Sequence, residues 1–390
     1  MRAFSNLNEE EIKDIFYKRP QNITSKTDKT YMQYALGATL YMPGVRDDIF
    51  EIIYKNKYNS MQSMVICLED AISEKDVEKA ETNVIDICKK ITYCIETKKI
   101  NPNNLPLIFL RVRSVEQFKK ILNKKGFFIP ITGFVFPKFD STNGEEYLNI
   151  LDKFNDKRTN ILYGMPILES KRVIYKESRI DELLKIKSIL DKYKKYILNV
   201  RIGATDYQGL YSLRRGIDNS IYDIGVVSDC IYDIINIFSR ADNEYVISGP
   251  VWEYFNSNDQ NRVLKPMLRK TPFVENEGQE GIIKRKHYLE KYVDGLIREV
   301  ILDKANGLVG KTVIHPTHIK LVNALYTVTQ EEYEDALEIL QINDKGGVNK
   351  SKYNNKMNES KPHFNWANKI MKRAYVYGVI KEEFTYLKLL

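Results

Sequence analysis

The sequence predicts a closed (β/α)₈ barrel, and three observations carry that reading. Apolar runs of strand length recur eight times along the chain. Most of them are separated by charged, amphipathic stretches of helical length, an alternation that makes a parallel sheet. Eight such units over about 300 residues match the size at which the sheet closes on itself. The runner-up, a doubly wound open sheet, usually has fewer strands and a Gly-rich phosphate loop after the first one. Here that position holds the turn Met42-Pro43-Gly44-Val45.

The runs are Thr39–Met42, Met64–Leu68, Leu107–Val112, Gly133–Phe136, Met165–Leu168, Asn199–Ala204, Tyr245–Ser248 and Gly310–Ile314. A short apolar run without helical periodicity reads as a buried strand. Among the intervening helices Lys75–Ile95 is the clearest, with Val77, Ala80, Val84, Ile85, Cys88 and Ile91 near one face. Others are expected at Asp47–Tyr54, Val115–Leu122, Ile180–Tyr193, Ile224–Phe238, His287–Lys304 and Gln330–Leu340. Residues 1–35 read as a helical lead-in and 36–342 as the barrel domain. A polar insertion at 251–285 follows the seventh strand and would hang over the barrel mouth. Residues 343–390 read as a Gly/Asn/Lys/Ser-rich linker and a helical extension, with Trp366, Ile370, Ala374 and Tyr377 on its packing face.

Composition narrows the function classes. With 29% charged residues, and no stretch near the ~18–20 apolar residues of a spanning helix, a membrane protein is not expected. The polar N-terminus lacks the apolar core of a signal peptide. Cys67, Cys88, Cys94 and Cys230 show no CxxC spacing and read as reduced, buried thiols of a cytoplasmic protein. The four histidines lack the cysteine partners of a zinc site. The net charge of +8 admits a nucleic-acid- or ribosome-associated factor. The lysine-rich stretches also carry acids, however, so solvated helix faces are the expectation and nucleic acid is not an expected partner. A scaffold barrel without catalysis is the other alternative.

In a barrel the active site lies at the C-terminal ends of the strands. Those ends deliver Pro43-Gly44, Glu69-Asp70, Arg111-Val112-Arg113, Pro137-Lys138, Glu169, Asp206, Ser248-Gly249-Pro250 and His315-Pro316. Four acids and several cations therefore converge on one mouth. Glu169 and Asp206 lie 37 residues apart, about one strand–helix unit. They are hard oxygen ligands suited to one Mg²⁺, whose remaining positions waters and substrate oxygens would fill. Such an ion could bind a small anionic oxo- or hydroxy-acid and stabilise the enolate formed when a carbon–carbon bond breaks. Arg111 could clamp the substrate carboxylate, or form a buried bridge to Glu69 or Asp70. Intact Glu169, Asp206 and Arg111 argue against a scaffold.

The ordered motifs Pro43-Gly44, Leu68–Ala71, Arg111-Val112, Pro137-Lys138, Ile167-Leu168-Glu169, Gly203–Asp206 and Gly310–Pro316 resemble those of the HpcH/HpaI aldolase and citrate lyase β-subunit superfamily. The match spans about residues 36–340. The whole chain resembles a bacterial subgroup described as C–C bond lyases of the TIM-barrel fold, linked to stress-response and tellurium-resistance gene clusters. The resemblance implies a Mg²⁺-dependent, usually homo-oligomeric lyase. It implies Glu169 and Asp206 as metal ligands, Arg111 as the substrate-carboxylate arginine, and Glu69 and Asp70 as the acidic pair lining the site. Lys138 and His315 match motif positions of less defined role. The pattern departs at Arg113, where an Asn is usual, and at Tyr207, where a Leu is usual. Arg113, Arg214 and Arg215 could together bind a phosphate or second carboxylate, or be surface or structural arginines.

Overall fold

A computed structural model describes residues 1–124, 126–255, 291–341 and 348–390. Eight parallel strands form one sheet: β1 (Ala38–Pro43), β2 (Ser63–Cys67), β3 (Leu107–Arg111), β4 (Ile131–Phe136), β5 (Tyr163–Leu168), β6 (Val200–Ile202), β7 (Ile247–Ser248) and β8 (Lys311–Val313). Neighbours pair in sequence order from β1 to β7, and β8 pairs back with β1. The circle closes through a bridge between Gly249 and Lys311, flanked by Val309 N–H donating to Ile247 O (2.8 Å) and Gly249 N–H to Gly310 O (2.9 Å). All eight expected strands are present. Every residue of β2 to β8 except Thr312 is buried, as expected of strands covered on both faces.

The helices obey the amphipathic pattern. Val77–Glu96 buries Ala80, Val84, Ile87, Cys88 and Ile91, with Ile87 rather than Ile85 on the inner face. Val115–Leu122 starts where Ser114 accepts a hydrogen bond from Gln117 N–H. Two helices after β5, Lys171–Ile174 and Lys176–Lys192, pack on Gly225–Phe238. Gly144–Asn155, Ala204–Leu210 and Thr317–Leu325 are helices the periodicity left unassigned. The lysines of the basic stretches face acids: Lys119 meets Glu146, Lys120 Glu81, Lys185 Asp181, Lys187 Asp191 and Lys192 Glu145. The four cysteines are buried and free. No described helix is long and apolar enough to cross a membrane.

The chain outside the barrel is more ordered than its composition suggests. Phe16–Lys18, Val379–Ile380 and Val328–Thr329 form a three-stranded sheet with Val379–Ile380 in the centre. The lead-in is thus part helix (Glu9–Ile15) and part strand. Val348–Lys350 pairs antiparallel with Met357–Glu359 inside the segment read as a linker. The extension is one 18-residue helix, Ser360–Tyr377. It buries Ala367, Ile370, Ala374 and Tyr377, but Trp366 is 38% exposed. Trp366 is one residue short of Ala367 and falls toward the rim of the packing face. The insertion at 251–285 lies outside the described residues beyond Phe255, as does His287 of the helix expected there.

Candidate active site

Arg111, the last residue of β3, reaches the centre of the mouth. Its Nη2 meets Glu69 Oε2 at 2.7 Å, Asp70 Oδ2 at 3.1 Å and Glu169 Oε1 at 3.1 Å. Lys138 meets the same acids from β4, with Nζ 2.7 Å from Glu69 Oε1 and 3.3 Å from Asp70 Oδ1. Four strands thereby place charges on one knot of ion pairs. Of the two alternatives for Arg111 the structure places the bridge to the acids, and all three bridges use one nitrogen. Its buried Nε has no hydrogen-bond partner, so the guanidinium keeps donor capacity for a ligand.

Local backbone explains each placement. Leu68 N–H donates to Arg111 O (2.9 Å), and a turn closed by Ile72 N–H to Glu69 O (2.8 Å) then presents Glu69 and Asp70. Lys138 sits at φ +47°, a left-handed conformation unfavourable for a side-chain-bearing residue. That conformation accompanies a Lys138 N–H bond to Glu169 Oε1 at 2.8 Å, while the ammonium reaches Glu69. Glu169 lies directly over Gly203: a Cβ there would stand 2.2 Å from Glu169 Oε2. Glycine at 203 is therefore a condition for the carboxylate's position. Asp206 is not on strand β6, which ends at Ile202, but in the first turn of the helix Ala204–Leu210. A helix start favours a carboxylate electrostatically.

The acids are not electrostatically alike. Burial pushes the Glu169 carboxyl up to about 8; Asp206 adds to the rise and Arg111 opposes it. Asp206 is raised by burial and by the charge of Asp70. Glu69 is raised, mainly by burial, whereas Asp70 is lowered because Glu69, Arg111 and Lys138 together outweigh its burial. Burial opposes the charge on Arg111, but Glu169 and Glu69 overcome it and hold its pKa above the ordinary value. Neighbouring carboxyls whose pKa values are pushed apart are the usual mark of an acid–base pair.

The charge of Asp206 raises the Glu169 carboxyl, a repulsion that a cation between them would relieve. No cluster of three or more potential metal ligands occurs among the described residues. A two-carboxylate site completed by water and substrate oxygens suits Mg²⁺ and the cradle over Gly203 fits it. Glu169 and Asp206 are the residues that would hold it.

The three remaining arginines separate. Arg113 turns away from the mouth, and its guanidinium donates to the carbonyls of Leu68 (3.4 Å), Glu69 (3.4 Å) and Ile72 (2.7 Å). It braces the loop that carries Glu69 and Asp70. Arg215, 1% exposed in its side chain, is bound by Glu253 and Glu299, donates to Val251 O and lies over the Trp252 ring. Arg214 is exposed. The structure therefore does not gather Arg113, Arg214 and Arg215 into one anion pocket. His315 stacks on Phe255 with centroids 4.6 Å apart, and its Nδ1 lies 2.8 Å from Thr317 Oγ1, a loop-fixing arrangement.

Two residues escaped the sequence reading. Arg201 on β6 is buried in the barrel interior, bonded to Thr312 Oγ1 (2.6 Å) and Thr39 Oγ1 (3.4 Å), with its guanidinium 5.5 Å from the Tyr41 ring centroid. No carboxylate lies within 4 Å of it among the described residues. Tyr41 follows Thr39 by two residues on β1 and so faces the same interior. Burial raises the Tyr41 phenol, while Arg201 and Arg111 pull it down. The available signal was an arginine inside an otherwise apolar run.

The model of the family described as "C–C bond lyase of the TIM-barrel fold" matches residues 30–379. No curated protein matches the chain in sequence. Among solved structures, CitE from Mycobacterium tuberculosis in complex with magnesium, acetoacetate and coenzyme A is 15% identical, with a TM-score of 0.53; the match covers 88% of this chain and 99% of that one. RipC from Yersinia pestis is 17% identical over 77% of this chain and 99% of its own, with a TM-score of 0.47. The Haloferax volcanii malate synthase magnesium–glyoxylate complex is 11% identical over 73% of this chain and 74% of its own, with a TM-score of 0.49. At 15% identity the likeness to CitE is one of fold.

Proposed function

The chain belongs to the C–C bond lyases of the TIM-barrel fold, and we propose that it acts on a small anionic oxo- or hydroxy-acid with Mg²⁺ held by Glu169 and Asp206. The observation that carries this reading is the charge arrangement: Glu169 is shared between Arg111 and the Lys138 backbone, beside an acid that raises its pKa. The ion, when bound, polarises a substrate oxygen and stabilises negative charge on it.

The chain's own residues supply the rest. Arg111 offers the substrate carboxylate the guanidinium donors its acids leave free. Lys138, pinned to Glu69 and Asp70, keeps a positive charge beside the reacting carbon. Asp70, half-exposed and held ionised, takes or returns the proton at its carboxylate, and Glu69 fixes it through the 2.7 Å bond from Asp70 N–H. Arg113 holds the turn that aims both acids. Cleavage and condensation use the same groups. The four free buried thiols support a reducing compartment such as the cytoplasm, and the family resemblance supports a homo-oligomer and a role in stress-response metabolism.

The test is a thermal-shift and turnover screen with Mg²⁺ and 2-oxo-, 3-oxo- and hydroxy-acids, run on the parent, Glu169→Ala and Asp206→Ala. Mg²⁺ should raise the parent's melting temperature, and an oxo-acid should raise it further only with Mg²⁺ present. Equal Mg²⁺ stabilisation of both variants would remove the proposed ligands.

A further inference from the structure

A cavity of about 620 Å³ opens on the far side of the barrel. Its walls include Tyr34 before β1, Ala241 before β7 and Gly307–Val309 before β8, together with Trp366, Ile370 and Arg373 of the C-terminal helix. Every barrel segment here precedes its strand, whereas Glu69, Lys138, Glu169 and Asp206 all follow theirs. The cavity thus lies at the N-terminal face, opposite the acids, between the barrel and the helix Ser360–Tyr377. Its volume falls in the range of about 300–1,000 Å³ usual for small-molecule sites.

The charges in this cavity are unbalanced. The Lys304 side chain makes no hydrogen bond or ion pair among the described residues; its backbone carbonyl accepts from Gly307 N–H. Arg373 donates only to the carbonyls of Tyr326 (3.2 Å) and Thr327 (3.4 Å) and has no carboxylate within 4 Å among those residues. Lys369 is already paired with Glu244. One acid, Glu332, is shared through space by Lys304 and Arg373, and its Oε2 also accepts from Thr329 N–H at 3.2 Å. By contrast, buried Arg111, Arg179, Arg215 and Lys311 are each met by two or three carboxylates. Half-buried Lys304 and buried Arg373 sharing one acid leave a net positive charge, which is costly away from water. Burial and the neighbouring Arg373 pull the Lys304 ammonium down to about 8. The Tyr386 hydroxyl on the same wall is buried without a partner.

We propose that this cavity is a second ligand site, for a small amphipathic anion whose carboxylate or phosphate head sits between Lys304 and Arg373 and whose apolar body lies along Trp366 and Ile370. The head supplies the missing negative charge, and the body covers apolar surface that the helix and the barrel leave open. The site shares no residue with the acids at the mouth, so the two can be lost independently.

The full chain is titrated with 8-anilinonaphthalene-1-sulfonate as probe, reading tryptophan quenching, with decanoate, decyl phosphate and decanol as competitors. Trp366 lines the cavity and Trp252 is fully buried outside its lining, so Trp366 dominates the signal. Saturable quenching is expected, weakened by salt and reduced to the Trp252 remainder in Trp366→Phe. Lys304→Met, which removes no hydrogen bond, should weaken binding roughly tenfold, the scale of one charged contact. Arg373→Met should do the same, with unchanged melting temperature of the Lys304 variant as the control for folding. Decanoate or decyl phosphate should compete, and which is stronger identifies the head; decanol should not. Probe affinity unchanged in Lys304→Met, or decanol competing as well as decanoate, overturns the proposal. So does binding that appears only when a dimer is diluted apart, since a second copy would then be the occupant.

Discussion

Two ion-pair knots of similar composition lie on opposite sides of the barrel, and they differ in one respect. Arg111 and Lys138 with Glu69, Asp70 and Glu169 form the first. Arg215 and Lys311 with Glu253, Glu299 and Asp303 form the second. In the second, Arg215, Glu299, Asp303 and Lys311 are sealed from solvent; Tyr222 donates to the second Asp303 oxygen, and Ile221 N–H shares Glu299 Oε2 with Arg215. In the first, the Asp70 and Lys138 side chains are 50% and 53% exposed. A closed knot can only hold strands together. An open one presents partly satisfied charge to whatever enters, and it is the one expected to do chemistry.

The largest effect is expected from breaking the closed knot. Lys311→Met leaves Asp303 buried without a cation, while Glu299 keeps only Arg215, and should cost about 3–5 kcal/mol of stability, read by urea denaturation. A midpoint close to the parent's would mean the closed knot is not a structural brace. The open knot should respond in the opposite way. Glu169→Gln should reduce turnover roughly a hundredfold or more and abolish the Mg²⁺-induced rise in melting temperature. The metal-free protein should melt at or above the parent value near neutral pH, because the buried carboxyl is gone and Arg111 keeps Glu69 and Asp70. Equal loss of stability in both variants would erase the distinction between the knots.

Arg111→Lys should come next. Lysine cannot offer the fixed fork of donors, so KM for an oxo-acid should rise by about tenfold while kcat changes less. Proton linkage then separates the knots by pH. The Glu169 carboxyl is raised on folding from an ordinary value of 4.5 to about 8, so the folded state binds more protons than the unfolded one in that window. Metal-free stability should therefore fall as pH climbs from 4.5 toward 8, and the stabilisation by Mg²⁺ should grow over the same range as the proton leaves. Glu169→Gln should flatten both trends in calorimetry across that range. The smallest effect is expected from Arg113→Ala, which removes carbonyl contacts at the rim of the open knot. About 1 kcal/mol of stability should be lost, with a modest fall in turnover as the Glu69–Ile72 turn loosens.

The strands were legible because burial on both faces writes a continuous apolar run, and Arg111 and Glu169 because they stand at strand ends; Asp206, expected there too, lies one helical turn beyond. Gly144–Asn155 was missed although Glu145 and Glu146 in its first turn and Tyr147, Leu148 and Leu151 on its inner face mark it. The division of labour among the arginines was not legible. Arg111 lies in an apolar run and Arg215 in a loop, but only their partners reveal what each does. Glu253 and Glu299 lie 38 and 84 residues from Arg215, a distance that no local pattern spans. Arg201 was hidden for the opposite reason: its neighbours Val200 and Ile202 made it look like part of the wall, while its partners come from β1 and β8.

The small sheet outside the barrel has a bearing on biosynthesis. Its central strand, Val379–Ile380, is the last of the three to leave the ribosome, while one edge strand, Phe16–Lys18, is the first. Lys381 N–H also closes on Ile15 O, and Tyr377 Oη on Tyr34 O. Until those late residues emerge, two edges wait unpaired across more than 300 residues of intervening chain. Nascent chains stalled before residue 377 should therefore leave Phe16 and Val328 open to chaperones and proteases, even when all eight barrel strands have been made.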